Sequence, residues 1–181
     1  MGDAALRVEL NTVKDAAGSA TVAFHGAEVC VAARWEVARR DGAVLTCEVE
    51  AAGFDAPEIC GDDVARALQS CLAAGGPKAT IQLRAVVRRA GRGELGAACM
   101  AASLALAEAD VPMCGLCGGS LIDVGKGVLS IVAAPGGVVA SALDGAVSNA
   151  DAAAALDGAL RAAEDARAHM RAALVARHKD S

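Results

Sequence analysis

The sequence predicts a fold that mixes β-strands with α-helices, and three observations support this prediction. Residues 79–87 alternate apolar with polar side chains, as a half-buried strand does. Residues 95–107 carry no charge and consist mostly of small side chains, which is typical of a buried helix lying close to a sheet. The chain of 181 residues has the length of one domain with a sizeable core. We therefore expect a single domain, residues 1–181, centred on this strand and helix.

Strands are predicted on both sides of this central unit. Their apolar segments are bounded by turn residues and cover residues 6–10, 20–24, 28–35, 43–50, 113–123, 128–133 and 138–143. Gly125-Lys126-Gly127 is the predicted turn between two of them.

Two further helices are predicted. The first covers residues 57 to about 74, and the last covers residues 149–179 with Asn149 as its N-cap. The apolar positions of the first are Val64, Leu68, Cys71 and Leu72. Those of the last are Leu156, Leu160, Ala163, Met170 and Leu174.

The composition excludes several classes of protein. Hydrophobic residues make up 55% and charged residues 22%, values that exclude a disordered chain and a membrane protein. The net charge of −5 argues against a surface that is basic throughout, so any contact with nucleic acid has to be local. Charged residues interrupt the N-terminal segment, which therefore lacks a secretion signal, and we expect an intracellular protein.

The seven cysteines are most simply explained as small buried residues in a reducing compartment. Cys114 and Cys117 have the spacing of a zinc knuckle or a redox pair, but the chain has no second pair of Cys or His at such spacing. We therefore expect no metal. If these two cysteines have a chemical function, the alternative to simple burial is a small-molecule enzyme that uses Cys114 and Cys117.

The turn before the central helix is a candidate anion site. Gly91 and Gly93 precede the helix N-terminus, where backbone N–H groups and the helix dipole favour a phosphate. Glu94 at the helix start repels a phosphate. It also fits a simple structural role, because an acidic side chain in the first turn is stabilised by the same dipole.

The run RRAGRGELGAACMAASLALAEADVPM, from Arg88 to Met113, resembles the core segment of the RNase PH family. It is most similar to the RNase PH-like subunits of the eukaryotic RNA exosome ring. Two further segments of the family stand in the expected order along the chain, Gly18-Ser19-Ala20 before this run and Ala142-Leu143-Asp144 after it. The resemblance implies an α+β fold, the RNase PH form of the ribosomal protein S5 domain 2 fold, with mixed sheets packed on helices.

The resemblance also implies that the catalytic activity of the family has been lost in this chain. Active members are phosphorolytic exoribonucleases that grip phosphate with the Arg of a Gly-Thr-Arg triplet, and the matching positions here are Arg92-Gly93-Glu94. Their catalytic Asp lies on a strand corresponding to residues 128–134, yet no acidic residue stands between Asp123 and Asp144. We expect a catalytically inactive member. The alternative is an active phosphorolytic exoribonuclease in which Arg92 and Asp123 or Asp144 have taken over the missing roles.

Inactive members complete the exosome ring, so the resemblance implies a definite set of partners. These are other RNase PH-like subunits, paired as heterodimers in a six-subunit ring, together with S1/KH cap proteins and RNA. The implied role is structural and RNA-guiding, in 3′-5′ RNA processing and degradation, including rRNA processing. The implied location is the nucleus, with the nucleolus, and the cytoplasm. No cofactor, metal or membrane is implied.

The candidate RNA-binding residues are all arginines: Arg39, Arg40, Arg88, Arg89 and Arg92. The resemblance places the turn with Arg39 and Arg40 near the RNA channel, although a basic hairpin tip is also typical of a solubilising surface turn. The other three arginines either face the channel or pair with carboxylates of the subunits. Both interpretations stay open.

Overall fold

The computed structural model describes residues 6–37, 44–53, 59–73 and 79–179. Within these ranges the chain forms eight strands and three helices. The strands are β1 (Arg7–Leu10), β2 (Gly18–Phe24), β3 (Ala27–Val37), β4 (Val44–Ala51), β5 (Ala79–Arg89), β6 (Gly118–Val124), β7 (Lys126–Ala134) and β8 (Gly137–Ala146). The helices are α1 (Gly61–Gln69), α2 (Glu94–Glu108) and α3 (Asn149–Lys179).

The strands form two sheets. The first has the order β1-β2-β3-β5-β4, in which the β4/β5 pair is parallel and the other pairs are antiparallel. The second is an antiparallel sheet in the order β6-β7-β8. The alternation predicted for β5 is confirmed, because its apolar side chains are buried at Ile81, Leu83, Ala85 and Val87.

Helix α2 lies between the two sheets. It packs against β2 and β3 of the first sheet and against β6 and β7 of the second, and residues 96–106 are all buried. A charge at these positions would lose its hydration without a partner, which explains the uncharged sequence. The approach is close, because a Cβ atom added at Gly119 of β6 would stand 3.0 Å from Cα of Gly96.

Helix α3 packs on the opposite face of the second sheet. Successive side chains of a strand point to opposite faces, and β7 obeys this rule: Leu129, Ile131 and Ala133 join the cluster under α3. Val132 and Ala134 join the main core around α2. The layers are therefore the five-stranded sheet, α2, the three-stranded sheet and α3, with α1 packed against β4 and α2. This architecture agrees with the predicted α+β class.

Helix α1 is shorter than predicted. It begins at Gly61, where a side chain would collide with the carbonyl of Cys47, and it ends at Gln69. Cys71 and Leu72 were predicted to lie on its apolar face, but they follow the helix. Their backbone instead pairs with the segment before β6: Leu72 forms an antiparallel bridge with Met113, and Cys71 O accepts a hydrogen bond from Cys114 N (2.8 Å). These bonds are incompatible with a continued helix.

The same pairing shortens the next strand, which was predicted to begin at residue 113. Because Met113 pairs with Leu72, β6 begins only at Gly118. The turn predicted over residues 125–127 is present: Val124 pairs with Gly127, so Gly125 and Lys126 connect the two strands, and Lys126 also pairs with Ala146 of β8. Gly125 has a φ of +60°, which glycine tolerates.

Helix α3 has the predicted bounds but a different cap. Its N-cap is Ser148, whose Oγ accepts a hydrogen bond from Asp151 N (3.1 Å), and Asn149 is the first helical residue. On its apolar face, Ala163 and Met170 are buried as predicted, together with Ala159 and Ala166. Leu156, which was predicted to lie on this face, is 39% exposed.

Among the described helices, none is long and apolar enough to cross a membrane.

Candidate functional site

The candidate site begins with the turn that joins β5 to α2. Gly91 and Gly93 lie directly against the turn between β2 and β3, where added side chains would overlap the backbone of Gly26 and Phe24. Glycine is the residue that permits this approach. The start of α2 is thereby fixed on the first sheet.

Glu94, the first residue of α2, is only 5% exposed. Its Oε1 accepts a hydrogen bond from Gly91 N (3.2 Å), so the carboxylate folds back over the turn. A charged acceptor at this end of a helix is favoured by the dipole as well as by the hydrogen bond. The position where the family resemblance implies a phosphate-gripping arginine therefore carries a carboxylate that binds its own backbone.

Arg92 lies beside Glu94 and pairs with a carboxylate from the second sheet. Its Nη2 stands 2.6 Å from Oδ1 of Asp123, near the end of β6. Both side chains are exposed, Arg92 at 56% and Asp123 at 77%, so the pair contributes about 1 kcal/mol or less to folding. The pairing neutralises Arg92 within the chain.

Asp123 and Asp144 lie in one row across the second sheet. Val128 of β7 pairs with Asp123 on one side and with Asp144 of β8 on the other. Directly paired residues point to the same face of a sheet. Here it is the face on which Val132, later in β7, packs in the core around α2. The two acids thus flank Val128, about 10 Å apart across two inter-strand spacings. Asp123 and Asp144 were each named as candidate acids, but their position in one row across the sheet was not predicted.

Arg88 and Arg89, at the end of β5, surround a single carboxylate. Glu28 of β3 is 14% exposed and lies 3.9 Å from Arg88 Nη1 and 3.9 Å from Arg89 Nη2. Arg7 of β1 donates a hydrogen bond to Glu28 Oε2 at 3.1 Å. At 3.9 Å the contacts of Arg88 and Arg89 are ion pairs beyond hydrogen-bond distance. Arg7 Nε also lies 3.6 Å from Glu9 Oε1, so three guanidinium groups face two carboxylates and leave a local positive charge.

The structure brings only some of the predicted RNA-binding residues together. Arg88 and Arg89 share Glu28, whereas Arg92 is engaged with Asp123. Arg39 and Arg40 lie outside the described residues. The pairing with carboxylates that was considered for the three described arginines is present within this chain, and binding to RNA stays a prediction.

Arg7 and Glu28 belong to the same cluster but were not predicted. Each lies in a segment correctly predicted as a strand. Their contact depends on β1, β2 and β3 being neighbours in that order. The sequence carries no spacing signal for that arrangement.

The prediction that the cysteines are buried is confirmed for only some of them. Those with buried side chains are Cys30, Cys71, Cys99 and Cys117, while Cys47 is half-buried and Cys60 and Cys114 are exposed. Burial raises the pKa of the Cys47 thiol to about 11, and it also raises the pKa of Cys99. A raised pKa keeps both thiols protonated and unreactive near neutral pH.

Cys114 and Cys117 do not form the predicted candidate pair. Cys117 Sγ lies 3.3 Å from Cys71 Sγ, whereas Cys114 Sγ donates to the carbonyls of Ser70 and Cys71 (each 3.3 Å). Across the described ranges, no group of three or more His, Cys, Asp or Glu side chains is placed to hold a metal ion.

Comparisons with known proteins identify the family through a family model and the fold through a solved structure. Residues 5–112 match the RNase PH family, described as the 3′ exoribonuclease family, domain 1. No curated protein sequence matches the chain. The crystal structure of rice (Oryza sativa) Rrp46 is similar with a TM-score of 0.76 at 19% identity, over 96% of each chain. The predicted RNase PH fold is thereby confirmed.

We expect Glu94→Ala to lower the free energy of unfolding by about 1–3 kcal/mol, because the partly buried N–H of Gly91 loses its acceptor, Glu94 Oε1. Urea denaturation of both proteins measures this change. The matched control is Glu50→Ala, which removes an exposed carboxylate that accepts two hydrogen bonds from Arg84. Equal stability of the two variants would contradict the role given to Glu94.

Proposed function

The chain belongs to the 3′ exoribonuclease family, and from this membership we propose that it is a catalytically inactive RNase PH-like subunit of the RNA exosome core ring. Its role is structural and RNA-guiding in 3′-5′ RNA processing and degradation, including rRNA processing. The fold that it shares with rice Rrp46 supports this proposal.

The observation that carries the proposal of inactivity is the position of Glu94. Phosphorolysis needs a cation that holds the attacking phosphate, and the corresponding position here presents a carboxylate bound to Gly91 N. The neighbouring cation, Arg92, is paired with Asp123 at 2.6 Å. An incoming phosphate would be repelled by the negative charge of Glu94 and would compete with Asp123 for Arg92.

The second catalytic requirement is also missing. Protonation of the leaving oxygen needs an acidic group near the scissile bond, but β7 (Lys126–Ala134) contains no Asp or Glu. Loss of the phosphate grip and the acid together removes several kcal/mol of transition-state stabilisation. A loss of about 4 kcal/mol corresponds to a rate reduced by about a thousandfold.

A ring subunit needs surfaces that other chains cover, and β8 offers one. It is an edge strand of the second sheet, so one side of its backbone has no neighbouring strand among the described residues. Its apolar residues Val138 and Leu143 are 44% and 54% exposed. An edge with exposed apolar side chains is suited to pairing with another chain. We assign this surface to another RNase PH-like subunit, with S1/KH cap proteins completing the assembly.

The local positive charge around Glu28 supports the RNA-guiding part of the role. The positive charge of Arg7, Arg88 and Arg89 exceeds the negative charge of Glu9 and Glu28, and the three arginine side chains are all exposed by 45% or more. A small basic patch on a chain of net charge −5 matches a subunit that touches RNA locally. Arg39 and Arg40 are proposed as further contacts. The proposed location is the nucleus, with the nucleolus, and the cytoplasm.

One observation favours a second candidate function, an active phosphorolytic exoribonuclease. Arg92, Asp123 and Asp144 lie at the same end of the second sheet, so a cation and two acids are near each other. In that case Arg92 would hold phosphate and one of the acids would protonate the leaving oxygen.

The two functions are distinguished by incubating the purified chain with RNA in phosphate buffer. We expect no nucleoside diphosphates above the background without protein, and no change on Arg92→Ala, because an inactive chain has no activity to lose. An active phosphorolytic family member in the same buffer is the positive control. Release of nucleoside diphosphates that is lost in Arg92→Ala or Asp123→Asn would establish the second function instead.

Co-purification of the tagged full chain from its source cells tests the assembly. We expect a large complex containing RNase PH-like chains and S1 or KH proteins, identified by size exclusion and mass spectrometry. Val138→Asp/Leu143→Asp should reduce the recovery of these partners by about tenfold or more, since two charges at an apolar interface cost well over about 1.4 kcal/mol. Val175→Asp, at an exposed valine of α3, is the control. Elution of the wild-type chain as a lone monomer would contradict the ring role.

The RNA contact is tested in the assembled complex with Arg88→Glu/Arg89→Glu. If both arginines contact phosphates, the slope of log affinity against log salt concentration should fall by about 0.7 for each. Fluorescence anisotropy with single-stranded RNA measures the slope. Arg171→Glu, on the exposed side of α3, should leave it unchanged. An unaltered slope in the double variant would mean that these arginines serve only the ion pairs with Glu28.

A further inference from the structure

A pair of buried thiols lies between the end of α1 and the start of β6. Cys71 follows α1, Cys117 directly precedes β6, and both side chains have no exposed surface. Their Sγ atoms are 3.3 Å apart. A disulfide bond is about 2.05 Å long, so the two sulfur atoms need to approach by little more than about 1 Å.

The backbone around the pair is held by hydrogen bonds. Leu72 forms a bridge with Met113, Ala73 N donates to Pro112 O (3.1 Å), and Cys114 N donates to Cys71 O (2.8 Å). These bonds join the segment that contains Cys71 to the segment that leads into Cys117. The two thiols are therefore kept together by local pairing as well as by the surrounding core.

Arg167 of α3 packs over the start of β6, beside Cys117: a Cβ atom at Gly118 would stand 2.8 Å from Arg167 Cγ, and the Arg167 guanidinium pairs with Glu164. The hydrogen bond from the Cys117 thiol, and more weakly the charge of Arg167, lower the pKa of Cys71. The same hydrogen bond raises the pKa of Cys117. Cys71 is thus the first of the two to ionise, and a thiolate is the reactive form.

We propose that Cys71 and Cys117 form a redox-sensitive clamp, in which a two-electron thiol oxidant joins their Sγ atoms into a disulfide. The bond would tie the end of α1 to the start of the second sheet. This inference does not depend on the proposed ring function. It rests on the contact between the two sulfur atoms and on the paired backbone around them.

Because both thiols are buried, the oxidant reaches them through local opening of the paired segments. The residues beside the thiols are partly open to solvent: Leu72 and Met113 are half-buried and Cys114 is exposed. With the diazene oxidant diamide, the Cys71 thiolate adds to the N=N bond. The Cys117 thiolate then attacks the Cys71 sulfur and forms the S–S bond. The diazene takes up two electrons and the two thiol protons, and it leaves as the hydrazine.

Oxidation of the folded full chain with diamide tests the clamp. After unfolding and alkylation, we expect the number of labelled cysteines to fall by two, from seven to five, and the mass before alkylation to drop by two hydrogen atoms. Peptide mapping should find Cys71 linked to Cys117. The thermal midpoint should rise on oxidation and return on reduction with dithiothreitol, because the cross-link restricts the unfolded chain.

The variants assign the effect to the pair. In Cys117→Ala, all of the remaining cysteines should still be labelled after the same treatment. In Cys99→Ala, which removes another buried thiol, the number of labelled cysteines should still fall by two. The peptide map of the wild-type chain decides the question even if Cys117→Ala fails to fold. Retention of seven labelled cysteines, or a map that links Cys114 in place of either partner, would overturn the proposal.

Discussion

The burial of helix α2 between two sheets is the constraint on which the rest of the structure depends. Both faces of the helix are covered, so its residues 96–106 have to be uncharged and mostly small. The contact of Gly96 with Gly119 shows how close the second sheet comes. Any larger side chain there would push the sheet away and open voids along the helix, at a cost of about 1–3 kcal/mol.

The same constraint determines the chemistry at the helix start. Because α2 is fixed on both sheets, its first turn meets the β2–β3 turn on one side and the end of β6 on the other. Glu94 satisfies a backbone N–H there, and Arg92 satisfies the carboxylate of Asp123. A position that would suit an anion is occupied by charges of the chain itself. The turn is thereby held by interactions within the chain itself.

The elements with strong local patterns were predictable, whereas their ends often were not. The alternation of β5 and the uncharged run of α2 identified both correctly, since each pattern reflects burial on a regular backbone. The errors at α1 and β6 share one cause, the backbone pairing of Leu72 with Met113. That contact joins segments far apart in the chain, and no local pattern encodes it. Likewise, Ser148 caps α3 although Asn149 is an equally good capping residue by type.

The sequence by itself determined the class of fold, the family, the charge at the start of α2 and the absence of an acid along β7. These properties follow from residue types at single positions or at short spacings. The tertiary structure alone decided which groups meet: Arg92 with Asp123, three arginines with Glu28, and Cys71 with Cys117. The reason is physical, because such contacts depend on the order of strands and on helix placement. Burial of the whole core fixes both, and no short segment carries that information.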